Sequence, residues 1–151
     1  MKTHLQSLFL SMAVLSAVAL SPATKPNFSG DWELNTARSD LGGAPITKLV
    51  VHIEHKDPVF KYTAQATVDG RDVEESESFA TDGTPSRDSR GATVRAHWDG
   101  AALVTETTGS DGQLLDRSRL TLSAEGNTTV RDYERLTPDD RQKRHEIYEK
   151  H

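Results

Sequence analysis

The residues best suited to hold a metal are His52, Glu54 and His55, which fall within four positions, with His97 and His145 further along the chain. Zinc needs three or four such donors converging tetrahedrally. On a strand, however, His52 and Glu54 share one face while His55 points to the other, so the three converge only across a bulge. The reading preferred for them is histidines on a solvated strand face, with no metal. Nucleophilic catalysis needs a nucleophile, a base and an orienting acid. Serines, histidines and aspartates are plentiful, but no Gly-x-Ser-x-Gly elbow occurs. No Gly-x-Gly-x-x-Gly or Walker-type loop is present either, so no nucleotide cofactor is expected. The composition leans away from an enzyme.

More informative are carboxylates that interrupt an apolar alternation. If Val73 and Phe79 face an interior, a period of two turns Glu75 and Glu77 inward as well. If Leu114, Leu120 and Leu122 face in, so do Asp116 and Ser118. A bare carboxylate in a dry core costs several kcal/mol unless it is paired or neutralised. Three outcomes fit. The strands bulge or run past the core so that the acids reach water, or they enclose a wet cavity in which the acids meet Arg117, Arg119, Arg131 or a polar or cationic ligand. The third is calcium, for which no Asp-x-Asp-x-Asp-Gly loop exists. Tyr62 and Trp98, on otherwise apolar faces and each with a polar handle, are the aromatic residues to expect in a pocket wall.

The elements that would position these residues are strands. Turn signals recur at Lys56-Asp57-Pro58, Asp69-Gly70, Asp82-Gly83, Asp99-Gly100, Asp111-Gly112, Glu125-Gly126-Asn127 and Thr137-Pro138. Asp-Gly suits hairpins because both residues of a type I′ turn need positive φ. Between them, Leu49, Val51 and Ile53, then Phe60, Tyr62, Ala64, Ala66 and Val68, then Val94, Ala96 and Trp98 alternate with polar neighbours. That pattern predicts strands near 30–36, 48–56, 59–68, 72–81, 91–98, 101–109, 113–123, 128–136 and 141–149. The expected fold is all-β: an antiparallel up-and-down meander of about eight to ten strands closing into a barrel or half-barrel, the last strand pairing near the first. Residues 140–151 read as the closing strand, with a C-terminal helix the alternative, since their charged side chains have good helix propensity. Gly42-Gly43 marks a loop between the first two strands.

Phe28-Ser29-Gly30-Asp31-Trp32-Glu33-Leu34 resembles the opening of the calycin superfamily, the lipocalins and fatty-acid-binding proteins. With the Ile-Glu-His-Lys-Asp-Pro hairpin, the Trp-Asp-Gly turn and the Leu-Ser-x-x-Gly turn, the chain from Phe28 to Lys150 resembles small exported bacterial lipocalin-like proteins. The resemblance implies that Gly30 and Trp32 are structural, the Trp ring plugging one barrel end beneath a basic residue, Arg131 or Arg135, in a cation–π contact. It implies a small hydrophobic or amphipathic ligand, for which Tyr62, Glu75, Glu77, Trp98 and Asp116 are the candidate contacts. The alternative is a barrel filled by side chains that meets a protein partner, in the manner of an inhibitor. The chain departs from the pattern in showing no clear helix of the fatty-acid-binding kind between strands and no cysteine for lipocalin disulfides.

The N-terminus reads as an export leader: Lys2 precedes an apolar run from Leu8 to Leu20, shorter than the roughly 20 residues of a membrane-spanning helix. Ala17 and Ala19 form an A-x-A-like site, so the signal peptide is expected to span 1–19, with Ser21 and Ala23 a second option. An extended lead-in over 20–27 and one β domain over 28–151 follow. The expected product is a monomer of the periplasm or the extracellular medium without a membrane anchor. The formal charge of −5 becomes −6 without Lys2, which argues against nucleic acid or anionic membrane as partner.

Overall fold

The computed structural model describes residues 24–151. The expected leader over 1–19 and both cleavage positions lie outside them, as does the first half of the lead-in. Ten strands follow: β1 (Gly30–Leu34), β2 (Ile46–Lys56), β3 (Val59–Val68), β4 (Arg71–Ala80), β5 (Ser86–Arg87), β6 (Thr93–Asp99), β7 (Ala102–Thr108), β8 (Leu114–Leu122), β9 (Thr128–Thr137) and β10 (Asp140–Lys150). They form one antiparallel sheet in the order β4-β3-β2-β1-β10-β9-β8-β7-β6-β5. The meander expected from the turns is present, and a two-residue strand, too short for any periodicity to reveal, is added at β5.

The turn chemistry accounts for the hairpins. Asp69 and Gly70 both adopt positive φ, 51° and 72°, as a type I′ turn requires. The ambiguous last segment is a strand, not a helix. It pairs along its whole length with β9 and closes the sheet against β1, with Trp32 opposite Lys150 and Leu34 opposite Tyr148. Charged residues on both of its faces obscured the alternation; Asp140, Lys143, His145 and Glu146 find opposite charges on β9, in Arg135, Glu134, Asp132 and Arg131. On the outer surface Lys143, Glu134, Arg117, Glu106 and Arg95 stand in one cross-strand row of alternating sign.

Opposite that closure the barrel has a seam. β4 and β6 share no ladder; the seam is bridged instead by Ser86 Oγ, which accepts from the Ala80 N–H at 3.2 Å, and by Glu77 Oε1, which accepts from the Ser89 N–H at 2.9 Å. The result is a nearly closed barrel whose one weak edge is pinned by side chains rather than by backbone pairing.

One end is packed solid. Phe28, Trp32, Phe60 and Leu103 are all 3% exposed or less and join Ile53, Ala96 and Tyr148 in a single cluster. Phe28 stacks parallel to Trp98 at 6.2 Å, and Phe60 stacks on Phe79 at 4.9 Å. Trp32 Nε1–H donates to the Phe28 carbonyl at 2.9 Å, so the lead-in is tied to the plug it completes. The cation over the Trp32 ring is Lys150, at 5.4 Å, and not Arg131 or Arg135. The strand register decides this: Lys150 is the direct cross-strand neighbour of Trp32, whereas β9 lies one strand further on. Gly30 is structural in a specific sense. Its φ is 141°, and a Cβ there would lie 2.9 Å from Lys150 Cε.

Candidate functional site

Above the plug the side chains shorten and a cavity of about 610 Å³ opens. Period two dictates its walls. From β2 and β3 come Leu49, Val51, Ala64, Ala66 and Val68, facing Leu103 and Leu120 across the interior. From β7 to β10 come Thr105, Ser118, Arg131, Tyr133 and Glu146, so that one wall is apolar and the other polar. The barrel is therefore not filled by side chains. Two small residues, Ala64 and Ala66, stand where bulkier ones would close the space.

The polar wall is built around Glu146, a residue the sequence reading did not single out, which is 1% exposed. Its Oε2 accepts from Arg131 Nη1 at 3.0 Å and from the Tyr148 hydroxyl at 2.8 Å, while Arg144 Nε stands 3.2 Å from Oε1. Burial by itself would raise the Glu146 carboxyl; the charges of Arg131 and Arg144 outweigh it and hold the group below its ordinary value. The same pairing keeps Arg131 protonated in spite of its own burial. Arg131 and Arg144 both lie over the Tyr133 ring, their guanidinium carbons 4.7 and 4.2 Å from its centroid. Arg135 leans out to the Asp140 carboxylate and to the Tyr133 hydroxyl.

Four of the five residues expected to contact a ligand line this cavity: Tyr62, Glu75, Glu77 and Asp116. The acids reach water at the rim of the cavity: Glu75 is exposed on a strand whose Val73 is 51% exposed, and a register shift between Thr107 and Thr108 falls beside Asp116, as the first of the three expected outcomes has it. Tyr62 donates its hydroxyl to Glu75 Oε1 at 3.2 Å, and burial, reinforced by the Glu75 charge, raises its ionisation well above the ordinary phenol value. Tyr62 thus stays a neutral donor. Trp98 does not reach the cavity. It faces inward but lies in the plug, where Nε1–H donates to Asp57 Oδ1 at 3.1 Å. The Thr81 hydroxyl, with Lys25 and Trp98, brings Asp57 down to about 2. None of the arginines expected to meet Glu75, Glu77 or Asp116 pairs with them: Arg131 lines the cavity, but its partner is Glu146. Arg117 and Arg119 belong to the outer face of β8, where they pair with Glu134 and Asp99.

The histidines separate as strand geometry requires. His52 lies on the outer face with Asp31 at 2.6 Å, whereas His55 is buried in the plug. Among the described residues no group of three or more His, Asp or Glu is placed to hold a metal ion. A second hollow of about 600 Å³ runs over the outer face of β6 to β10, but its charges answer one another, His145 with Asp132 at 2.6 Å and Lys143 with Glu134 at 3.6 Å.

No protein-family model matches the chain, and no curated protein matches it by sequence. Solved structures do. Zebrafish ileal bile acid-binding protein, complexed with cholic acid, superposes with a TM-score of 0.58 at 14% identity over 82% of this chain and 98% of its own. Secretory abundant heat soluble protein 4 from Ramazzottius varieornatus superposes with a TM-score of 0.53 at 16% identity over 85% of this chain and 97% of its own. Both are calycin members, and at such identities the likeness is one of fold. Ten antiparallel strands in up-and-down order, a Trp-plugged end and an open interior make this chain a calycin-like β-barrel.

Proposed function

We propose that the protein binds a small amphipathic molecule inside the barrel and carries or sequesters it outside the cytoplasm, as the exported lipocalin-like proteins that its sequence resembles would do. The observation that supports this most is the divided cavity. Its volume, about 610 Å³, falls within the roughly 300–1,000 Å³ of small-molecule sites. An apolar wall across from a hydrogen-bonding wall suits a molecule with an apolar body and a polar end. The zebrafish protein, of similar fold, was solved with cholic acid, which is in keeping with a ligand of this type. Export is supported by the Lys2 to Ala19 leader pattern; an intact Met1 on protein purified from the cell envelope or medium would refute it.

The test of binding is occlusion. Ala64→Trp adds an indole to the apolar wall, which the empty interior can accept without disturbing the plug. Native mass spectrometry and calorimetry with single-chain amphiphiles should show stoichiometric binding to the wild type and at least a tenfold loss in Ala64→Trp, with circular dichroism unchanged. Equal binding by both proteins would place the ligand elsewhere.

A further inference from the structure

We infer that the plugged end of the barrel carries an acid-operated latch: neutral His55 holds the segment ahead of β1, residues 24–29, against the plug, and protonation of its ring releases that segment while the sheet stays intact. The latch is independent of what the cavity binds.

No ladder pairs residues 24–29, so a few specific contacts hold them. The Phe28 N–H donates to His55 Nδ1 at 3.2 Å, and the Ser29 hydroxyl donates to the His55 carbonyl at 3.0 Å and accepts from the His55 N–H at 2.9 Å. Lys25 adds a salt bridge to Asp57 at 3.2 Å. Phe28, docked in this way, is fully buried, and its carbonyl receives the Trp32 indole N–H at 2.9 Å. The Phe28 bond depends on the charge of the ring, because Nδ1 accepts only in a neutral imidazole whose proton is on Nε2.

The other side of the ring supplies the alternative. His55 Nε2 is buried without a hydrogen bond, and Asp57 Oδ1 lies 3.7 Å from it. An imidazolium donates from both nitrogens. Its Nδ1–H would confront the Phe28 N–H, donor against donor, while its Nε2–H has a carboxylate within a small movement of the ring. The Thr81 hydroxyl, with Lys25 and Trp98, brings Asp57 down to about 2, so the carboxylate stays charged while His55 titrates. It is also the partner of Lys25, so the imidazolium competes with the second tether of the same segment. The other groups packed on the ring do not titrate: Phe28 ahead of β1, Phe60 on β3 and Trp98 on β6, at 5.9, 5.3 and 5.8 Å between centroids. Burial disfavours the imidazolium in the latched state and lowers His55 below 6.5. Release returns the ring to water and to its ordinary value, so falling pH favours the released state.

Hydrogen exchange followed by NMR between about pH 7.5 and 5, with each rate corrected for its intrinsic pH dependence, tests this. The Phe28 amide and the Trp32 indole N–H should lose protection together, by at least about fivefold and by no more than about tenfold per pH unit. The amides of the β9–β10 ladder should keep theirs. In His55→Asn, which keeps an acceptor near the position of Nδ1 and does not titrate, protection of Phe28 should not change with pH. His52, paired with Asp31 on the outer face and raised above 6.5 by that contact, remains in this variant and so is separated from His55. Wild-type Phe28 protection that is constant with pH, or that falls in parallel with the β9–β10 ladder, overturns the latch, and this comparison needs no variant. The same pH-dependent loss in His55→Asn overturns it as well.

Discussion

Replacing Glu146 by Gln should be among the most damaging single changes in the molecule, although Gln is nearly isosteric. Glu146 is the only carboxylate within 4 Å of Arg131 or Arg144 among the described residues, and both guanidinium groups lie close to one Tyr133 ring, 4.7 and 4.2 Å from its centroid. Without its charge, two neighbouring cations are left without a counter-charge in a low-dielectric wall. Breaking a buried ion pair by removing one partner costs about 3–5 kcal/mol. Here the lower end applies, because the Arg131 side chain keeps 33% of its surface open to the cavity and can recover water. A loss of about 3 kcal/mol is a large part of the roughly 5–15 kcal/mol available to a domain of this size. It should lower Tm by about 10 °C. Urea unfolding followed by tryptophan fluorescence reads this directly, since Trp32 and Trp98 both sit at the plugged end. Glu146→Gln retains an acceptor for Tyr148 and so isolates charge from hydrogen bonding. A value within about 0.5 kcal/mol of wild type, the range of an ordinary surface substitution, would refute the assignment of this cluster as a charge-balanced core. The pH dependence should agree: with the folded carboxyl held below its unfolded value of 4.5, the stabilisation is complete above that pH and is lost as pH falls through the folded value.

His55 should add a second acid-sensitive step at higher pH. The Phe28 N–H donates to its Nδ1 at 3.2 Å, which places the ring proton on Nε2, and burial lowers its pKa from 6.5 despite the opposing pull of Asp57. The folded state therefore binds fewer protons than the unfolded one below pH 6.5. The stability it contributes is present above that pH and declines as pH falls, by at most about 1.4 kcal/mol per pH unit; His55→Gln should flatten this limb in unfolding titrations, and an unchanged profile would exclude His55 as its source. Gly30→Ala should destabilise by about 1–3 kcal/mol, since it combines a positive φ of 141° with a Cβ 2.9 Å from Lys150, and wild-type stability in chemical unfolding would show that the turn relaxes freely.

Much of the barrel was legible from local pattern because β structure in a meander is local information: each Asp-Gly turn sets the next hairpin, and alternation then assigns every side chain to a face. The same rule correctly placed Tyr62, Glu75, Glu77 and Asp116 inward on a shared interior. It stopped short at Trp98, which also faces inward, because alternation says nothing about height along the barrel axis. The two-residue β5 carried no periodic signal at all.

Residue types and their spacing were enough to determine strand identity and the turns, since each depends on φ preferences and a period of two; the role of Gly30 and Trp32 came from the resemblance to calycins. Three things were decided only by the tertiary structure. Lys150 rather than an arginine covers Trp32 because closure of β1 on β10 sets that register. Arg131, from the neighbouring strand, and Arg144 both pair with Glu146, a cluster that only the register of β9 on β10 brings together. The space above the plug remains open because Ala64, Ala66 and the threonines of β7 come to the same level from separate strands. Each is a relation between strands, and relations of that kind follow from register and barrel closure, which no stretch of sequence contains by itself.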